Sequence, residues 1–142
     1  MVKKFNLFMT FLIMLMLIIG CSSGSELKNL TVNFSDEANT VSTEGFHIYT
    51  VQISDKSGSS IDVDKVYLYM NMKMMNHPIE GTMNRVEEGL YQLELPLSMA
   101  GEWYANLTVT FDEDTKVFED FLFSGEGEKQ MEYITGYHAD EQ

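Results

Sequence analysis

The stretch Val63-Asp64-Lys65-Val66-Tyr67-Leu68-Tyr69-Met70-Asn71-Met72-Lys73-Met74-Met75-Asn76-His77-Pro78 contains both a strand and its end. Val66, Leu68, Met70 and Met72 alternate with Lys65, Tyr67, Tyr69, Asn71 and Lys73. That two-residue period belongs to a strand with one face in a core and the other wet. Met70 and Met72 are therefore expected inside, where a flexible thioether side chain fills irregular gaps. Met74 continues the inward set, whereas Met75 falls on the lysine and tyrosine face. Pro78 cannot donate to a ladder and biases His77 towards extended backbone, so the strand is over before them.

Working outward, runs dense in β-branched and aromatic residues recur at 30–34, 46–53, 89–95, 103–111 and 117–123. Turn-rich segments separate them, including Ser54-Asp55-Lys56-Ser57-Gly58-Ser59-Ser60 and the polar hairpin loop Asp112-Glu113-Asp114-Thr115. No stretch of this part carries apolar residues at helical spacing over three turns. With Met83–Val86 as a short strand, the chain predicts an all-β, immunoglobulin-like antiparallel β-sandwich of about seven strands. The sandwich is expected over 29–124, followed by an acidic, loosely held tail over 125–142 rich in Glu and Gly.

The N-terminus gives the address. Lys3 and Lys4 precede an apolar run from Leu7 to Ile19 interrupted only by Thr10, and Gly20-Cys21 follows. A charged start, a short apolar segment and a small residue at its end read as a signal peptide over 1–20. Ile18-Ile19-Gly20-Cys21 resembles the bacterial lipobox, which implies acylation of Cys21, a lipidated tether over 21–28 and a domain on the extracytoplasmic face of the cell membrane. Cys21 is the only cysteine, so no disulfide or cysteine nucleophile is left for the domain. Losing Lys3 and Lys4 with the signal peptide takes the formal charge from −13 to −15. That charge argues against nucleic acid and keeps a tethered protein soluble.

Two further methionines lie in connections rather than on a strand face. Met83 sits in Ile79-Glu80-Gly81-Thr82-Met83-Asn84-Arg85, and Met99 in Leu97-Ser98-Met99-Ala100-Gly101. If the chain runs away from the 75–82 connection, turns at Glu87-Glu88-Gly89 and returns along 90–95, then Met99 arrives at the end of the sandwich that holds Met75 and His77. Met75, His77, Met83 and Met99, with Met74 as a secondary member, then form a candidate metal site. Thioether sulfur is a soft neutral donor suited to copper(I), and neutral imidazole adds a nitrogen. The competing reading makes these residues caps on the core, or an adaptable apolar patch that docks a membrane-protein partner.

The segment from Met70 to Thr110 resembles the YtkA-like domain, a family related to the FixH-like envelope proteins. The resemblance rests on a methionine-rich strand end with a histidine, on Gly89-Leu90-Tyr91, and on Ser98-Met99-Ala100-Gly101-Glu102-Trp103. It implies an immunoglobulin-like extracytoplasmic domain, often a lipoprotein, with a role in copper handling or in assembly of copper-containing respiratory oxidases. A copper-acceptor or oxidase-assembly protein is the partner so implied, and Met75, His77, Met83 and Met99 are the positions so indicated.

Other candidates read as structural. His47 shares a face with Tyr49, Val51 and Ile53 and is expected to be hydrogen-bonded there. His138 reads as a solvated tail residue. Asp112-Glu113-Asp114 lacks the spacing of a calcium loop. No phosphate loop, G-x-S-x-G or H-E-x-x-H motif occurs, and the chain reads as a non-enzyme.

Overall fold

The computed structural model describes residues 27–142, so the expected signal peptide, Cys21 and most of the tether lie outside the described residues. Ten strands follow one another along the described residues: β1 Thr31–Phe34, β2 Thr40–Ser42, β3 Phe46–Ser54, β4 Lys65–Met72, β5 Ile79–Thr82, β6 Asn84–Glu87, β7 Leu90–Pro96, β8 Gly101–Phe111, β9 Asp114–Glu126 and β10 Tyr137–His138. They form a four-stranded sheet of order β1-β3-β7-β6 and a six-stranded sheet of order β10-β5-β4-β8-β9-β2. All pairings are antiparallel except β10 on β5 and β2 on β9. This is the expected all-β, immunoglobulin-like sandwich.

The alternation read in β4 is the alternation of burial. Val66, Leu68, Met70 and Met72 are buried, while Lys65, Tyr67 and Tyr69 face out at least in part. Tyr49, Val51 and Ile53 of β3 and Tyr91, Leu93 and Leu95 of β7 supply the facing layer. Aromatic rings join the sheets: Phe123 of β9 meets Phe34 of β1 at 6.0 Å and Tyr49 of β3 at 6.1 Å between centroids. Tyr91 fastens β7 from inside, its hydroxyl accepting from the Val63 N–H and donating to the Val63 carbonyl. At the β8–β9 turn, Asp112 and Glu113 both take positive φ, the backbone that a tight two-residue hairpin loop requires.

Three strands go beyond the sequence expectation. β2 and β10 are too short to carry a period, and β5 (Ile-Glu-Gly-Thr) has the composition of a loop. β5 nonetheless pairs with β4 from Tyr67↔Thr82 to Met70↔Ile79. Met83 is the residue at which the chain leaves that sheet for β6 in the other, and it is buried between them at 4% exposure.

The domain is also wider than 29–124. Leu27 packs into the core, in the segment read as tether. The expected loose tail folds back as a strap. The Gln130 N–H donates to the Ser98 carbonyl (2.7 Å), Tyr137 N–H to Pro78 (2.9 Å), and Asp140 accepts from the Thr82 N–H and hydroxyl (2.8 and 2.7 Å). Tyr133 and Tyr137 close edge-on over Phe46 at 5.8 and 5.6 Å. Two glycines admit the strap: a Cβ on Gly81 would lie 2.7 Å from Ala139 Cβ, and one on Gly136, at φ +115°, 2.7 Å from the Pro78 carbonyl. Composition alone concealed these aromatic and backbone contacts.

Burial separates the methionines by their effect on stability. Met83→Ala should cost about 2–5 kcal/mol in denaturant unfolding, as large-to-small core changes do. Met74→Ala, at 87% exposure, should stay within about 0.5 kcal/mol of the parent.

Candidate metal centre

β4 pairs with β8 as far as Met72↔Trp103 and then stops, because the next residues bend away from the ladder. Asn71 makes that bend. Its Oδ1 accepts from the Met72 and His77 N–H groups (2.8 and 2.7 Å), and its Nδ2 donates to Asn76 Oδ1 and the Tyr69 hydroxyl (2.8 and 2.9 Å). The buried amide thus uses both its donors and its acceptor to hold His77 against the sheet end. Because of this bend Met74 does not continue the inward set: it stands in solvent at 87% exposure, and Met75 is exposed at 47%.

The His77 imidazole is the most constrained group in this loop. Nδ1 lies in hydrogen-bond contact with the Ile134 carbonyl of the strap. A carbonyl can only accept, so Nδ1 carries the proton, and in the neutral ring Nε2 then bears a free lone pair. Nε2 is buried and has no partner among the described residues. An Nδ1–H to backbone carbonyl bond that leaves Nε2 as the donor is the orientation in which proteins present histidine to metals.

Met99 lies at the same end. Gly101, at φ +137°, turns the chain into β8 beside the Met72 methyl, and the Trp103 indole N–H donates to the Met99 carbonyl (3.1 Å). The Ser98-Met99-Ala100-Gly101-Glu102-Trp103 segment is therefore first a turn motif, whose backbone holds Met99 while its side chain rests partly buried on the core. The strap relates this turn to His77, because Gln130 bonds Ser98 and Ile134 bonds His77. Between those anchors lie one 3-10 turn, Met131–Tyr133, and Ile134 itself, a rise of about 8 Å at roughly 2 Å per residue.

Met83 is not in this group. Its N–H donates to the Val66 carbonyl (2.9 Å), six residues before Met72 on β4, which is about 20 Å at the rise of a strand. The topological expectation for Met99 is met, since β6 and β7 reverse at Gly89. The expectation for Met83 fails because 79–82 is a strand that carries the chain away before Met83 is reached. Two residues of this region were missed in the sequence: Asn71, read as a wet-face residue, and Met131, in a segment read as loose.

The other histidines lie elsewhere, and His138 Nδ1 is likewise buried without a partner among the described residues. His47 Nε2 meets Asp36 Oδ1 at 3.0 Å on the packed face, as its period predicts. His138 is half-buried rather than solvated: Tyr67 donates to Glu80 (2.8 Å), so His138 Nε2 donates to the Tyr67 oxygen (3.2 Å). Burial, and next the bond to Glu80, push the Tyr67 hydroxyl well above its ordinary pKa. Among the described residues no group of three or more His, Cys, Asp or Glu side chains is placed to hold a metal ion. The candidate donors at the β4 end are the His77 imidazole and the Met75 and Met99 thioethers. Among the described residues no helix is long and apolar enough to cross a membrane.

No family model and no curated protein matches the sequence. Among solved structures, an engineered protein is similar over 69% of this chain at 9% identity and a TM-score of 0.55, and this chain covers 20% of that one. The filamin domain of Lin-41 is similar over 69% of this chain and 92% of its own at 17% identity, with a TM-score of 0.45. The likeness to the engineered protein is one of fold.

The strap should loosen when its Asp140 anchor is lost. Bonds from Thr82, the backbone N–H first and the hydroxyl second, hold the Asp140 carboxyl below its ordinary pKa. A group depressed in the folded state stabilises above its unfolded pKa of about 3.9, and that contribution disappears as pH falls through the lowered value. Protection of the Tyr137 amide against hydrogen exchange, taken relative to the intrinsic rate at each pH, should therefore fall in Asp140→Ala at neutral pH, and in the parent only in acid below about pH 4.

Proposed function

We propose that this chain is an extracytoplasmic copper(I)-binding protein, tethered to the membrane through lipidated Cys21, that buffers the ion or passes it to an acceptor. The observation that carries the reading is the buried, unpartnered Nε2 lone pair of His77. The Ile134 carbonyl sets its tautomer, and it sits at the sandwich end that also holds Met75 and Met99. Thioethers with one neutral nitrogen suit a soft monovalent ion and suit zinc, calcium or magnesium poorly. Such ligands need no deprotonation apart from the imidazole, and half-exposed thioethers can exchange with an acceptor's own donors. The resemblance to the YtkA-like domain points the same way, towards copper handling or respiratory oxidase assembly. Met83, buried at the other end of β4, is left out of the set.

A second reading rests on the exposure of Met74 at 87% and Met131 at 67%. On that reading the methionines form an adaptable apolar surface for a membrane-protein partner, with no metal involved.

Titration of the detergent-solubilised full chain with copper(I) against a competing chelator separates the two. The metal reading expects one equivalent taken up by the parent and lost or strongly weakened in His77→Ala and Met99→Leu. Absence of uptake by the parent leaves the docking surface as the function.

A further inference from the structure

The C-terminal strap reaches the same sandwich end with a thioether that the sequence pattern does not offer. Met131 opens the 3-10 turn Met131–Tyr133 and is 67% exposed. Most long apolar side chains of the described residues are instead packed into the core. Its position is fixed from both sides. The preceding residue, Gln130, donates its N–H to Ser98, whose neighbour is Met99, and three residues onward the Ile134 carbonyl accepts from His77. Met131 therefore sits on the short bridge between the Met99 turn and the His77 imidazole.

Nothing in the core explains a methionine there. Tyr133 and Tyr137 of the same segment pack on Phe46, and Ala139 packs over Gly81, while Met131 points its apolar side chain at no buried cluster. The strap itself is anchored by bonds that leave Met131 free: Gln130 to Ser98, Tyr137 to Pro78, and Asp140 to Thr82.

From this arrangement we infer that Met131 is a ligand of the soft-metal centre and that the strap completes the site. The inference rests on the copper(I) reading above and extends it. The donor set becomes the His77 Nε2 nitrogen with the Met75, Met99 and Met131 sulfurs. The strap contributes twice, through the Met131 thioether and through the Ile134 carbonyl, which in the neutral ring places the lone pair on Nε2. All four donors are neutral, so the bound ion keeps its single positive charge in a strongly acidic protein. A strap held by a few backbone bonds also gives a route for release, because lifting it removes one sulfur and frees the imidazole tautomer together.

The test uses the full chain in detergent, with copper(I) added anaerobically against a competing chelator and sulfur coordination counted by X-ray absorption. Met131→Leu should bind about tenfold more weakly or worse, on the scale by which metal-site partners matter, and should lose one sulfur scatterer. Met83→Leu, at the far end of β4, should match the parent in affinity and sulfur count. Because Met131 is exposed, thermal unfolding of Met131→Leu should be unchanged, which separates ligand loss from misfolding. If Met131→Leu equals the parent while His77→Ala loses the ion, this inference is overturned and the copper reading stands. If the parent takes up no copper(I), the copper reading falls and this inference with it.

Discussion

The register of β4 is the constraint on which the other features depend. It is the one strand that pairs along nearly its whole length with β8 and also carries β5 on its other edge. Its period sends Val66, Leu68, Met70 and Met72 inwards, against the residues of β3 and β7. A slip of one residue would put Tyr67 and Tyr69 into the core and the methionines into water. The same register sets where the strand stops. Opposite Trp103 the ladder ends, and Asn71 turns the chain so that His77 comes to rest on the sheet end.

From that end point the rest of the candidate centre is assembled through bonds to backbone carbonyls. The Trp103 indole holds the Met99 carbonyl, Gly101 supplies a turn that a side chain would crowd against Met72, and the strap bonds Ser98 on one side and His77 on the other. Such a scaffold leaves Met75 and Met131 exposed, while Met99 rests partly on the core. The buried methionines, Met70, Met72 and Met83, behave in the opposite way and serve as core filler. Burial thus divides the methionines into core filler and the exposed or half-exposed set proposed as ligands.

Much of this was legible in the sequence, because a half-buried strand writes its period directly into the residue order. β3, β4, β7 and β8 announce themselves by alternation, and the reversal at Gly89 correctly brings Met99 to the His77 end. β5 was hidden: Ile79-Glu80-Gly81-Thr82 has a glycine where Ala139 needs space and a glutamate that Tyr67 satisfies, and both look like loop chemistry when read alone. Missing β5 misplaced Met83 by the length of the strand. The strap was hidden for a related reason, since its order comes from carbonyls, glycines and tyrosines that meet distant partners, and its Glu-rich composition resembles that of an unstructured tail. Asn71 shows the same limit in one residue, because nothing in a wet-face position signals that its amide will fold a loop.

The proposed centre depends on the Ile134 carbonyl holding His77 with its proton on Nδ1, which leaves the Nε2 lone pair to a soft ion. Nitrogen-15 NMR of the imidazole ring in the full chain reads this directly. A protonated Nδ1 and a bare Nε2 are expected in the metal-free protein, with the Nε2 resonance moving when silver(I) or copper(I) is added. A ring protonated on Nε2 instead, or an Nε2 resonance that ignores both ions, would contradict it.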